Sequence, residues 1–147
     1  MRIPPEILRH WELSYADKAA LADLPDAVVP FFQADPQRET EPAIRGGLYR
    51  IAHDMGLEIG VGAQGVFAVD PRNEMPDCFV NSSVADLAAF LREAGSFQAS
   101  VAGMDEVEAV ERVVEIRKRL ERRDPAAFAG GGTWWPMVFD QLESGQM

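Results

Sequence analysis

Four short apolar runs crowd the middle of the chain: Leu48–His53, Leu57–Val61, Val66–Val69 and Cys78–Val80. The first three are separated only by Asp54-Met55-Gly56 and Gly62-Ala63-Gln64-Gly65. A parallel crossover needs a dozen or more residues, so connections this short can only reverse the chain. Asp70-Pro71 closes the third run. The spacing therefore predicts an antiparallel meander.

Helical signals flank it. Pro5 suits the first turn of a short helix through Ile7, Leu8 and Trp11. Ser14 stands three residues before Asp17, the spacing of a capping box, and a helix from Tyr15 to Asp23 follows, ended by Pro25. The segment Ala27–Phe32 reads as one strand, placed at an edge because Pro30 has no N–H for a ladder. Residues Ala34 to Gly47, with Pro36, Pro42, Gly46 and Gly47, read as a surface loop. After the meander, Ser83 and Asp86 repeat the capping spacing, and Val84, Leu87, Ala88 and Leu91 form one helical stripe, with Gly95 as its C-cap. From Asp105 to Arg123 acids lead and bases trail, as the helix dipole favours, and Val107, Val110, Val114 and Leu120 mark the expected apolar face. A last helix begins after Thr133, with Trp135, Val138, Phe139 and Leu142 on one side. Helices, strands, then helices predict an α+β fold with a central, mainly antiparallel sheet flanked by N-terminal and C-terminal helices. With 47% apolar residues in a chain of 147, one core and one domain over residues 1–147 are expected.

Charge narrows the partners. The formal net charge of −10 opposes direct binding to nucleic acid or to anionic membranes, which attract clustered cations. The longest uncharged stretch, Pro125 to Phe139, contains Gly130, Gly131, Gly132 and Pro136 and falls short of the roughly 20 apolar residues of a membrane span. Cys78 is the only cysteine, so neither an internal disulfide nor a paired-cysteine zinc site is available. The charged, proline-bearing start Met1-Arg2-Ile3-Pro4-Pro5-Glu6 is unlike a signal peptide, and a cytoplasmic location is expected.

The chemical motifs are thin. Gly60-Val61-Gly62-Ala63-Gln64-Gly65 fits G-x-G-x-x-G, but a dinucleotide site needs a helix after it and Val66–Val69 is strand-like. A kinase-type loop would need a lysine on the next strand, whereas the next lysine is Lys118. The bland reading is a hairpin whose glycines supply positive φ. His10 and His53 lack partners at ligand spacing, and His53 reads as a solvent-facing turn residue. Cys78 reads as a small buried hydrophobe. Trp135 shares a helical stripe with core residues, which favours packing over a stacking platform. Arg117-Lys118-Arg119 with Arg122 and Arg123 is balanced by Glu111, Glu115 and Glu121 and reads as a solvated face. No catalytic residue, cofactor or metal ligand is assigned, and a binding role is expected rather than an enzyme.

Several segments, in order, carry a resemblance. They are Leu24-Pro25 with Phe31-Phe32; Gly65-Val66-Phe67-Ala68-Val69-Asp70-Pro71; and Phe79-Val80-Asn81-Ser82-Ser83-Val84 with Leu87 and Phe90-Leu91. Asp124-Pro125 and Trp134-Trp135-Pro136 with Leu142-Glu143 and Gly145 complete them. Together they resemble the SUKH superfamily, and within it the fourth subfamily of bacterial immunity proteins. Departures are Phe67, where members often carry tryptophan, and Gly60-Val61-Gly62, where an acidic turn is common.

The resemblance implies a SUKH-like α+β fold and a role as antidote to a cognate polymorphic toxin, a nuclease or a nucleic-acid-modifying enzyme, neutralised by non-catalytic occlusion. Such toxins tend to be basic, and an acidic partner is steered to them. The expected contact surface is the outer face of the meander and its turns, where Asp54, Glu58, Asp70, Glu74 and Asp77 gather. The alternative is an adaptor that uses the same fold to bind an endogenous protein.

Overall fold

The computed structural model describes residues 1–144; Gly145, quoted above as part of the C-terminal pattern, lies outside the described residues. Six strands form one sheet in chain order, every neighbouring pair antiparallel: β1 Ala27–Val28, β2 Phe32–Ala34, β3 Tyr49–His53, β4 Glu58–Gly62, β5 Gly65–Val69 and β6 Cys78–Asn81. Two short helices precede the sheet, α1 Pro5–Leu8 and α2 Tyr15–Ala20. Three follow it, α3 Val84–Ser100, α4 Glu106–Arg123 and α5 Trp135–Glu143. The architecture is the expected α+β meander between N-terminal and C-terminal helices.

Strand alternation separates two faces. Ile59, Val61, Val66, Ala68 and Val80 join the main core with Leu87, Phe90 and Leu91 of α3 and Trp135 and Phe139 of α5. Arg50, Gly60, Phe67 and Phe79 are paired across the sheet and therefore share the opposite, outer face. The open side of β6 is occupied in turn: Phe79 N donates to Gly132 O at 3.1 Å and Trp134 N donates to Phe79 O at 2.9 Å. That backbone pairing removes the unsatisfied edge a free strand would present.

Local expectations hold where short-range chemistry decides them. Ser14 Oγ accepts from Asp17 N and Ser83 Oγ from Asp86 N, each at 3.1 Å, as the capping spacing requires. Asp17 departs from the box, however, because its carboxylate accepts from Val84 N across the fold at 3.0 Å.

Three expectations are corrected. Ala27–Phe32 is two strands: Val28 pairs with Phe32, and Pro30 lies in the turn between them, after a cis peptide bond. Gly95 does not end α3, which continues to Ser100 because Phe97, two residues on, is buried in the core. On α4 the buried side chains are Val113, Ile116 and Leu120, whereas Val107, Val110 and Val114 are exposed. Residues 34–47 form the expected surface loop, tied down as a strap by two buried residues. Its buried Gln37 accepts from Ala43 N and Arg50 N and donates to Glu41 O. Ile44 on the strap then packs with Leu48 and Val69 on the outer face of the sheet.

Glycine explains how close that packing is. A Cβ at Gly60 would lie 2.9 Å from Leu48 Cβ, and one at Gly62 would lie 2.9 Å from Leu48 Cδ2. The G-x-G half of the motif is therefore a bed for Leu48. Of the three glycines of the motif Gly65 alone has a positive φ, at 127°, and its missing Cβ also makes room for Asn81 O, 2.7 Å from where that atom would stand.

Candidate functional site

Two constellations emerge, one inside the molecule and one at an end of the sheet. The inner one is built on Asp124, buried just beyond the C-terminus of α4. Its Oδ2 accepts from Asn81 Nδ2 at 3.0 Å and from Ser82 N at 2.9 Å, and its Oδ1 accepts from Ser82 Oγ at 2.6 Å. Asn81 Oδ1 in turn accepts from Trp135 Nε1 at 2.8 Å. One carboxylate thus ties the end of β6, the end of α4 and the start of α5 together. No buried side-chain nitrogen or oxygen among the described residues lacks a partner, so nothing in this network is left to grip a ligand. Trp134 and Trp135 are both buried, edge to face with ring centroids 4.8 Å apart, which makes them core residues.

The outer constellation holds the predicted acidic residues. Register places the β3–β4 turn, the end of β5 and the start of β6 at the same end of the sheet. Asp54, Glu58, Asp70, Glu74 and Asp77 therefore share one end. Their roles differ within it. Asp54 Oδ1 accepts from Leu57 N and Oδ2 from Trp134 Nε1, both at 2.9 Å. Asp70 accepts from Arg72 N at 2.9 Å and Glu74 N at 3.1 Å, fixing the β5–β6 connection. The Arg72 N–H, with those of Glu74 and Met75, holds its carboxyl below the ordinary value against the opposing effect of burial. Asp77 pairs with Arg45 at 2.7 Å, and Glu58 lies 3.9 Å from Arg50. Glu74 is exposed on the connection. Ile44 of the strap covers part of the outer face.

The remaining candidates resolve into ordinary roles. The G-x-G-x-x-G segment joins β4 to β5, strand to strand. Burial first, and then the charges of Asp54 and Asp77, push the Cys78 thiol above its ordinary value, the reverse of what activates a nucleophile. His53 Nδ1 lies 3.6 Å from Asp35 Oδ2, a pair that sequence spacing does not reveal. The α4 bases are ion-paired mostly outside their own helix: Arg117 with Asp140, Arg119 with Glu93 and Arg123 with Asp86, with Arg119 to Glu115 as the single pair at i, i+4 spacing. Among the described residues no three or more His, Cys, Asp or Glu are grouped to hold a metal ion, and no helix is long and apolar enough to cross a membrane.

Sequence reading missed an apolar component at the acidic end. Val29, Met55, Met75 and Met137 are exposed on the β1–β2 turn, the β3–β4 turn, the β5–β6 connection and α5. Met55 and Met137 border a recess of about 200 Å³ whose walls include Phe31, Leu57 and Trp134. Only the composition of the turns, methionine beside acid in Asp54-Met55 and Glu74-Met75, hints at this in one dimension.

Comparison with known proteins gives one assignment. The SUKH-4 immunity protein family matches residues 1–141. Neither the curated proteins nor the solved structures contain a significant match.

Proposed function

The chain belongs to the SUKH-4 immunity protein family, and we propose that it neutralises a basic nuclease or nucleic-acid-modifying toxin by binding it and covering its active surface, without catalysis. Membership supports an immunity role and a cognate toxin as partner; the match over residues 1–141 is the observation that carries this reading. The finer statement rests on charge. Between Asp54 and Asp77 the chain has five acids against one base, Arg72. A carboxylate-rich end of this kind raises the encounter rate with a cationic cleft and competes with phosphate there.

In this reading Asp54, Glu58, Asp70, Glu74 and Asp77 face the toxin, with two grades of duty. Asp54 and Asp70 shape the turns as well as charging them, whereas exposed Glu74 acts through its field and Glu58 and Asp77 do so beside Arg50 and Arg45. The protein works as one domain over residues 1–147, in the cytoplasm, where the toxin would otherwise act.

Co-expression with the toxin encoded beside it tests the function. Growth is restored when this chain is present, and the purified pair co-elutes. Continued toxicity with every adjacent candidate would instead favour an adaptor bound to an endogenous protein.

A further inference from the structure

The acidic end also carries exposed apolar side chains. Of the large hydrophobic side chains exposed among the described residues, Val29, Met55, Met75 and Met137 are at this end, and Met55 is 83% exposed. A soluble surface normally scatters such side chains singly, so their gathering beside carboxylates marks an interaction site. Methionine has a particular fitness here, because its unbranched, polarisable chain conforms to the partner it meets.

The recess between Met55 and Met137 is already held in shape. Trp134 Nε1 binds Asp54 Oδ2 and Leu57 N binds Asp54 Oδ1, both at 2.9 Å, which locks the β3–β4 turn onto the start of α5. Phe31 stands edge-on to Trp134 at 5.8 Å between ring centroids and fixes the third wall. A wall that does not have to order on binding keeps more of its contact energy. At about 200 Å³ the recess is below the roughly 300–1,000 Å³ of small-molecule sites, and it suits one side chain.

Two other surfaces lack this combination. The valine stripe of α4, Val107, Val110 and Val114, is exposed on a stretch that is also acidic, five acids against Arg112 from Asp105 to Glu115, but branched valine conforms to a partner less readily than methionine. The larger hollow over Phe67, about 420 Å³, is walled by Glu12 and the paired Arg45 and Asp77, and no methionine borders it.

Resting on the reading that the acidic end faces the toxin, we propose that the Met55–Met137 recess is the anchor of that interface, receiving one long apolar side chain that projects from a lysine- or arginine-rich surface of the toxin. The division of labour follows from physics. A desolvated apolar anchor governs how slowly the complex separates, and the surrounding carboxylates govern how fast it forms.

The test uses the full chain and the purified toxin domain encoded beside it, with association and dissociation rates measured across a salt series. Met55→Ala combined with Met137→Ala should weaken binding by about tenfold or more, mainly through faster dissociation and with the salt dependence intact. Glu58→Lys with Glu74→Lys should slow association, flatten its salt dependence and leave dissociation nearly unchanged. A methyl-labelled methionine spectrum of the unmutated chain supplies a readout free of folding effects: the Met55 and Met137 signals shift on complex formation and that of Met104, packed against the core, stays in place. If the unmutated chain binds the toxin while the double alanine variant keeps its dissociation rate, or if the Met55 and Met137 signals do not move, the anchor is wrong and the immunity reading survives. If the unmutated chain neither binds nor protects, both fall. Concentration-dependent dimerisation that hides the two methyl groups would assign the recess to a second copy of this chain and likewise overturn the proposal.

Discussion

The Asn81–Ser82–Asp124–Trp135 network and the Met55–Met137 end of the sheet are built from opposite materials. The first is polar, buried and fully satisfied by its own chain. The second is exposed, with methionine side chains in solvent and a recess between them. Asn81, Ser82, Asp124 and Trp135, four of the residues that carry the family resemblance, make up the first, whereas Phe31 and Trp134 wall the second. Part of what makes the chain recognisable is thus what makes it fold, since a buried donor or acceptor without its partner costs a large fraction of a domain's stability.

The contrast can be broken most severely from inside. Asp124→Ala strands Asn81 Nδ2 and Ser82 N and is expected to lower unfolding free energy by about 3 kcal/mol or more, read by urea denaturation. A loss below about 1 kcal/mol would mean the network is dispensable. Gly65→Ala combines a positive φ with a Cβ driven to 2.7 Å from Asn81 O and should cost about 2 kcal/mol. Gly130→Ala, with φ 117° but open space around it, should cost less, and equal losses would remove the steric part of the argument. Trp135→Phe deletes the donor to Asn81 and leaves a small void where the larger ring was fully buried, so about 2 kcal/mol is expected by the same measurement.

At the exposed end the effects on folding shrink. Asp70 is held below its ordinary value in the folded chain, so the unfolded chain binds the proton more readily. Its contribution to stability is therefore present above about pH 4 and is lost as pH falls through the lowered folded value. Asp70→Asn should flatten the acid limb of stability against pH in that window, and an unchanged limb would show that the backbone N–H groups do not favour the charged form. Glu74→Gln, on an exposed side chain, should leave stability within about 0.5 kcal/mol while lowering the association rate with the toxin at low salt.

Much of the secondary structure was readable because its causes are local. The Ser14 and Ser83 caps need only a hydroxyl three residues from an amide. The meander from β3 to β5 needs only connections too short to cross over. The errors fall where two local readings compete. α4 carries two apolar stripes, and the one with Val113, Ile116 and Leu120 is buried because α3 and α5 lie on that side. Gly95 costs a helix about 1 kcal/mol relative to alanine, a penalty outweighed when Ala94 and Phe97 continue into the core. The surface loop at 34–47 is legible from its prolines and glycines, but its two buried anchors are not, because Gln37 and Ile44 meet Arg50 and Val69 only in the fold.

By itself the sequence determined the class of fold, the antiparallel order of the meander, the acidic balance and the family, since periodicity, turn length, net charge and motif order are all written within short stretches of chain. Only the tertiary structure decided which residues meet. Asn81 and Asp124 are 43 positions apart, Asp54 and Trp134 are 80 apart, and no propensity links such pairs. Pairing at that distance is set by how sheet and helices pack. For the same reason the Met55–Met137 recess, shared by a turn and a helix from opposite parts of the chain, exists only in the fold.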